Sequence, residues 1–230
     1  MTGGNQSKPQ LHPAERVIFF TDAVVAIAMT LLILPLMESV SDAAGEGNTL
    51  HWLAEHTSQL LSFVLSFVIT GVFWRSHHRL FEHVKWITPA LIALDFAWMF
   101  TIVWLPVATA LTGAMNTFDR QAGEYDRVLV LVYIGTLVAN SLLLYLMEVV
   151  VRRTPETWHP DSPPRTRVGE AVALSMTLLF ASAAVIAMLV PQLNMAALFV
   201  LFLTGPLTSL IQRRMKPSDA DAQHTDGSSP

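Results

Sequence analysis

At 230 residues, with 52% hydrophobic and only 14% charged, the chain falls well short of the charge of a soluble domain, which is typically about 25%. The absence of cysteine excludes a disulfide framework and any thiolate metal site. A formal net charge of −4 gives no sign of a nucleic-acid partner, and it does not set membrane orientation, which depends on where Lys and Arg lie.

The first element is expected over residues 17–37, after a polar leader (1–15) carrying Lys8, Pro13 and Glu15. A signal peptide would have a shorter apolar core and a small-residue cleavage site, so the run reads as a retained span. Its polar start carries Arg16-x-x-x-Phe20-Thr21-Asp22. Ionisable groups at that depth are expensive and mark an interior network, a cavity or a pathway rather than lipid contact. Further along, the Thr30 hydroxyl has two readings, a bond back to the Ala26 carbonyl or a place on the wall of a conduit. Pro35 removes a backbone donor and so kinks or ends the helix.

At about 100° per residue, Phe20, Ala23, Ile27, Leu31, Leu34 and Glu38 fall on one stripe of this helix, with Thr30 at its edge. Asp22, Val25, Met29 and Leu36 fall on the far side. If the Ile27 stripe faces a pore, Asp22 faces its own subunit, and its role is structural.

Five further segments are long enough to cross a bilayer, at 53–74, 87–111, 128–151, 168–190 and 193–211. Of the 14 Lys and Arg, all but Arg120 and Arg127 fall on one side of these six spans. The first loop on the other side has none, but holds Glu38, Asp42, Glu46 and Glu55. The positive-inside rule therefore puts both termini in the cytoplasm. The expected fold is an all-α membrane protein with six transmembrane helices, multi-pass in the cell membrane. It divides into the leader, a six-span domain at 16–211 and a disordered tail at 212–230. The loop at 154–167, with Pro155, Pro160, Pro163 and Pro164, is expected to be extended and solvated.

The second span ends Phe73-Trp74-Arg75-Ser76-His77-His78-Arg79, at the depth of Arg16 and Asp22. The third contains Asp95 and Trp98. A buried charge must find a partner or neutralise, so Arg16 and Asp22 are expected to bond with some of Trp74, His77 and Asp95. His77, His78 and His83 form a single cluster, whereas membrane metal chemistry needs several converging on one ion; its reading is structural or interfacial. No metal or cofactor is called for. Glu148 and Glu170 read as snorkelled carboxylates near Arg152 or Arg167. There is no Gly-x-Ser-x-Gly, phosphate-binding loop or His-Glu-x-x-His, and no enzyme activity is expected.

Arg16-x-x-x-Phe20-Thr21-Asp22 resembles the Arg-x-x-x-Phe-Ser-Asp signature of the transmembrane protein 175 family of potassium channels, with Thr21 keeping the hydroxyl of the usual Ser. The continuation through Ile27, Thr30, Leu34 and Pro35 is similar to that family's first helix. Trp74-x-x-His77-His78-x-x-Phe81 and Leu105-Pro106-x-x-Thr109-x-Leu111 are similar to its second and third.

The resemblance implies six-span subunits that assemble as a homotetramer, with helix 1 of each lining a central pore for potassium ions. It implies an apolar constriction at Ile27, Leu31 and Leu34, with Thr30 beside it, and no carbonyl filter loop. It also implies an intrasubunit network around Arg16, Phe20, Thr21 and Asp22 that holds the first helix. Glu38 and Asp42 are placed to gather cations at the outer mouth, or are simply solvated loop residues. The rival functions are a secondary transporter, which would need a midplane site and often inverted repeats, and a non-transporting membrane scaffold.

Overall fold

The computed structural model describes residues 12–42, 49–114, 127–160 and 168–189. The predicted sixth span at 193–211 and the tail lie outside the described residues. Among the described residues, four stretches are long and apolar enough to cross a membrane: Glu15–Val40, Thr57–Phe81, Pro89–Ala114 and Leu131–Arg153.

The first stretch is two helices, α1 (Glu15–Leu31) and α2 (Leu34–Asp42). The break resolves the alternative posed by Pro35. Proline has no amide hydrogen to offer the Leu31 carbonyl four residues back, so the ladder cannot run through. The chain tightens, Ile33 N–H donating to the Thr30 carbonyl (3.4 Å), and α2 restarts with Leu36 and Met37 N–H both donating to the Ile33 carbonyl (3.1 Å each). A short helix α3 (Thr49–Glu55) precedes α4 (Thr57–Phe81). The predicted second span thus starts late, at Thr57 rather than residue 53. It also runs seven residues past its expected end at 74, because His77, Leu80 and Phe81 are buried on the same helix. The remaining helices are α5 (Pro89–Ala114), α6 (Arg127–Arg153) and α7 (Val168–Leu189).

Helix α5 is the hub, packing against α1, α4 and α6, while α7 packs on α6. Its buried residues, Leu91, Asp95, Trp98, Ile102, Leu105 and Thr109, recur every three or four positions along one face, the period of a helix stripe. Pro106 sits inside α5 and frees the Ile102 carbonyl, which neighbouring helices and local adjustment accommodate in membrane helices. Lipid is as apolar as leucine, so packing and interhelical hydrogen bonds, rather than apolar burial, hold such a bundle. The core supplies both. Trp98, Tyr133, Phe73 and Ile134 are almost wholly buried. Trp98 Nε1–H donates to Asn140 Oδ1 (2.9 Å), and Asn140 Nδ2–H donates to Thr101 Oγ1 (2.7 Å). Ser66 bonds to the Tyr133 hydroxyl (2.9 Å) and accepts from Thr109 (2.8 Å). Phe19, Val64, Phe96, Phe100 and Val103 instead point outward, an apolar exterior suited to lipid.

At the end rich in Lys and Arg, hereafter the basic end, the chain departs from pure helix. Strand β1 (His12–Pro13) pairs antiparallel with β2 (Trp86–Ile87), in the register His12 with Ile87 and Pro13 with Trp86. Ala14 N–H donates to the Lys85 carbonyl (3.1 Å), and Lys85 N–H donates to the Thr157 carbonyl (2.9 Å). The α4–α5 connection is thus the middle of a three-part plate. The expectation that the loop from Thr154 is extended and solvated is corrected here. Pro155–Thr157 is a 3₁₀ turn with Thr157 buried, and Trp158 stacks on His83 at 5.2 Å. Residues 161–167 lie outside the described residues.

Truncating the Trp98 side chain should remove both the largest core group and the Asn140 bond. Trp98→Ala is expected to cost about 3–5 kcal/mol of stability. Tyr133→Phe, which deletes one intramembrane hydrogen bond, should cost only about 0.6 kcal/mol. Denaturation in detergent micelles, followed by helical circular dichroism, measures both.

Candidate functional site

The first span presents two faces. Thr21, Val25, Ala28, Leu32 and Leu36, spaced by three or four, are buried against the rest of the subunit. Opposite them, Phe20, Ala23, Ile27, Leu31, Leu34 and Glu38 are exposed. Ile27 is 59% exposed and Leu34 50%, against 1% for Val25. Among the described residues the stripe drawn from the sequence is therefore the exposed face of the first span, and the Val25 side is the packed one.

Thr30 lies on the free surface too. Its hydroxyl donates to the Ile27 carbonyl (2.7 Å), three residues back rather than to the Ala26 carbonyl that the sequence suggested. Having spent its one hydrogen inward, Thr30 Oγ1 offers only lone pairs to whatever faces it. An oxygen in that state suits a cation.

Two distinct networks hold the foot of this helix. The inner one is centred on Asp95, which is 0% exposed. Thr21 Oγ1 donates to Asp95 Oδ2 (2.7 Å), sharing its hydrogen with the Val17 carbonyl at 2.9 Å. His77 Nε2 donates to Asp95 Oδ1 (2.7 Å). The His77 ring lies flat on Trp98 (4.4 Å between centroids, 12° between planes) and against Phe81 at 4.6 Å. Its Nδ1 is buried with no hydrogen-bond partner, which calls for the tautomer with the hydrogen on Nε2. Three helices, α1, α4 and α5, thus meet at one carboxylate.

The outer network is more open. Trp74 Nε1–H donates to Asp22 Oδ1 (2.8 Å), while His78 Nδ1 stands 4.0 Å from Asp22 Oδ2. His77 and His78 therefore serve different carboxylates. Phe20, the remaining residue of the motif, rests tilted on Phe96 at 6.2 Å.

Arg16 is the departure. It was expected to join these residues, yet it is exposed and makes no ion pair or hydrogen bond with the described residues. It stands in the first turn of α1, where its guanidinium reaches water or lipid headgroups more cheaply than a buried partner. Asp22 and Asp95, which the sequence placed together, divide into the two networks.

Some contributors escaped the sequence reading. Asn140 ties α6 to Trp98 and Thr101 beside the inner network, and a mid-span amide is itself a signal of a buried partner. At the far end, Ser39 Oγ donates to Gln59 Oε1 (2.7 Å) and lies 3.0 Å from the Pro35 carbonyl. Trp52 Nε1–H donates to the Ser39 carbonyl (3.3 Å), so α2 is moored beyond the break.

Fold and site together define a polytopic helical membrane protein whose first helix is anchored on one face and free on the other. Residues 16–106 match the family described as endosomal/lysosomal potassium channel TMEM175. The chain is 30% identical over 182 residues to a potassium channel of Streptomyces collinus, covering 75% of this chain and 85% of that one. It is 34% identical over 120 residues to the endosomal/lysosomal proton channel TMEM175 of Homo sapiens, half of this chain and 24% of that protein. The crystal structure of a lysosomal potassium-selective channel TMEM175 homologue from Chamaesiphon minutus superposes with a TM-score of 0.59 at 19% identity, covering 89% of this chain and 98% of that one. The chain belongs to the TMEM175 family.

Removing Asp95 leaves the buried His77 Nε2–H without a partner and returns the Thr21 hydroxyl to the Val17 carbonyl alone, a loss of about 3–5 kcal/mol when one member of a buried pair is deleted. Asp95→Ala should therefore collapse the yield of folded protein. Asp22→Ala, which breaks a half-open bond, should lower it only mildly and should impair assembly more than ion preference. Size-exclusion chromatography of fluorescent fusions, followed by current recording on whatever assembles, ranks the two.

Proposed function

We propose that this chain is the subunit of a potassium-permeable cation channel of the cell membrane, with α1 lining a central pore. The observation that carries the reading is the free stripe of the first span, in which Ile27, Leu31 and Leu34 stand exposed beside a Thr30 oxygen stripped of its hydrogen. The pore needs several copies of this helix around an axis, and a closed ring of four follows from the family resemblance. Six spans, with 193–211 as the last, and two cytoplasmic termini follow from the hydropathy and from the Lys and Arg distribution.

On this reading, rings of Ile27, Leu31 and Leu34 form the constriction. Large aliphatic rings exclude water when narrow, and the dry gap is a barrier to ions. Thr30 supplies an oxygen next to it, and Glu38, exposed on α2, raises the cation concentration at the outer mouth. Asp22, Trp74, Thr21, His77 and Asp95 hold α1 without touching the ion, and Phe20 packs beside them. Because no carbonyl cage strips the ion, selectivity for potassium over sodium is weaker than in filter-bearing channels. The bacterial relative matched over most of its length is named a potassium channel, and this favours potassium over protons as the main permeant ion.

The helix face is tested by cysteines placed in this naturally Cys-free chain. Cysteine at Ile27 or Leu34 should crosslink between subunits or confer block by a thiophilic metal, and cysteine at the buried Val25 or Leu36 should do neither. Reactivity at Val25 and Leu36 alone would mean that the opposite face lines the pore.

The constriction is tested in planar bilayers. Ile27→Asn and Leu34→Ala should raise unitary current by wetting or widening the ring, and Thr30→Val should alter the reversal potential between potassium and sodium. Unchanged conductance and selectivity in all three would sink the assignment. A reversal potential that follows a proton gradient would make protons the carried ion, and saturable coupled flux without unitary events would make the protein a transporter.

A further inference from the structure

Gly71 is a residue that its own subunit does not explain. It sits ten residues before the end of α4, inside a span, where glycine is a poorer helix former than alanine. A Cβ at this position would meet nothing within 4 Å among the described residues. Gly113 is different, because a Cβ there would stand 3.1 Å from the Gln59 backbone, so α4 and α5 need that glycine to approach each other. In membrane helices a missing side chain lets another helix come close. At Gly71 no described helix of the same chain uses the space.

This notch lies on one of two flanks that adjoin the α1 stripe. Helix α1 packs on both α5 and α4, Thr21 reaching Asp95 on one side and Asp22 reaching Trp74 on the other. On the α4 flank, Val64, Phe67, Gly71 and Trp74 follow one another at helical spacing, and all but Gly71 are exposed. On the α5 flank, Phe20 rests on Phe96 at 6.2 Å, and Phe96, Phe100, Val103 and Val107 follow in the same way. Phe100 is 70% exposed. One flank thus carries a bulky knob and the other a bare stretch of backbone.

The two stand at the same depth. Helices α4 and α5 run antiparallel, and three contacts fix their register: His77 with Asp95, Ser66 with Thr109, and Gln59 against Gly113. That register puts Gly71 within one helical turn of the level of Phe100 and Val103. Copies related by an axis along the membrane normal keep every atom at its depth. A knob on one copy therefore meets a notch on the next only if the two are level, as they are here.

We propose that successive copies around the pore meet flank to flank, the α5 face of one seated on the α4 face of the next, with Phe100 and Val103 packed over Gly71. The proposal rests on the reading of α1 as the pore helix, because a stripe that faces the axis turns its two flanks toward the two neighbours. The contact is head-to-tail, the kind that closes into a ring when the rotation allows. Burial of apolar area does not drive it, since lipid is equally apolar. Close van der Waals contact between two bulky side chains and a bare backbone does. One copy supplies one wall of the pore, and this contact supplies the others.

Cysteine pairs test the contact in a chain that has none of its own. Gly71→Cys combined with Phe100→Cys, or with Val103→Cys, should give a ladder of crosslinked species ending at the tetramer on mild oxidation in membranes. Each substitution alone should give no crosslink, because a head-to-tail contact does not pair a residue with its own copy. Coexpressing the Gly71→Cys chain with the Phe100→Cys chain should give crosslinked dimer and nothing larger. Leu178→Cys on α7, paired with Phe100→Cys, should not crosslink. Gly71→Leu points a side chain into space that its own subunit leaves open, so the monomer should keep its helical circular dichroism while the tetramer is lost on size exclusion in mild detergent. Adding Phe100→Ala should restore the tetramer by clearing the knob. Crosslinking of a single-cysteine chain, no crosslink in either pair, or an unchanged tetramer in Gly71→Leu would each overturn the interface. Crosslinking at Ile27 or Leu34 with none in the pairs would refute the interface and leave the pore reading standing. Crosslinking in the pairs with none at Ile27 or Leu34 would uphold the contact and refute the pore face.

Discussion

The Asp95 carboxylate is the constraint on which the remaining geometry depends. Both of its oxygens are occupied, Oδ2 by the Thr21 hydroxyl of α1 and Oδ1 by the His77 ring of α4. A carboxylate with no access to water is tolerable only with such partners. Each partner adds a helix, and each bond works only at one rotation and one depth of that helix. Thr21 in contact with Asp95 fixes α1 so that Val25, Ala28 and Leu32 also face inward. Once that face is committed, Ile27, Leu31 and Leu34 must face out. The free stripe is thus a geometric consequence of a buried bond two turns away.

The same helix is held at three other points, each by a different kind of bond. At its start, backbone pairing of 12–14 with 85–87 sets where the chain enters. At the level of Asp22, the Trp74 indole gives a single, more accessible contact. Beyond Pro35 the Ser39–Gln59 and Trp52–Ser39 bonds fix α2. The segment from Ala26 to Leu34 is the part that no side-chain bond to another helix restrains among the described residues, and it contains the break. Within that segment Ala28 and Leu32 are held by packing alone.

Much of this was legible in the chain itself. The four described spans announced themselves by length and apolarity, and the wheel separated Ile27 from Val25 because a helix has one period and no alternatives. Trp74, His77 and Asp95 were legible as partners because an ionisable group in a membrane span is too costly to stand alone. Which acid takes which donor was not legible. Asp22 and Asp95 lie at similar depth, and the way α4 is turned between α1 and α5 decides that His77 reaches Asp95 and Trp74 reaches Asp22. Arg16 was misassigned for a related reason: charge and position said that it had to interact, but one helical turn of difference lets it stay hydrated. The two-residue strands left no mark at all, since pairing that short is set by where the loops meet and not by any local propensity.

The limit of hydropathy in this chain has a physical cause. In water, an exposed apolar stripe is a conspicuous anomaly, because the rest of the surface is polar. In a bilayer, the exterior is apolar everywhere, so Ile27 and Leu34 look no different from Phe100 or Val103 on the outward face of α5. What distinguishes them is not their own chemistry but their neighbours. Thr30, on the same surface, turns its hydrogen to the backbone and its lone pairs outward, whereas the polar group exposed beside Phe100 and Val103 on α5 is the Trp104 indole, a donor with no lone pair to offer a cation. The identity of a surface in a membrane protein is therefore carried by its sparse polar atoms and by which way their hydrogens point. An aliphatic ring can gate an ion, but only an oxygen beside it can tell that the ion is there.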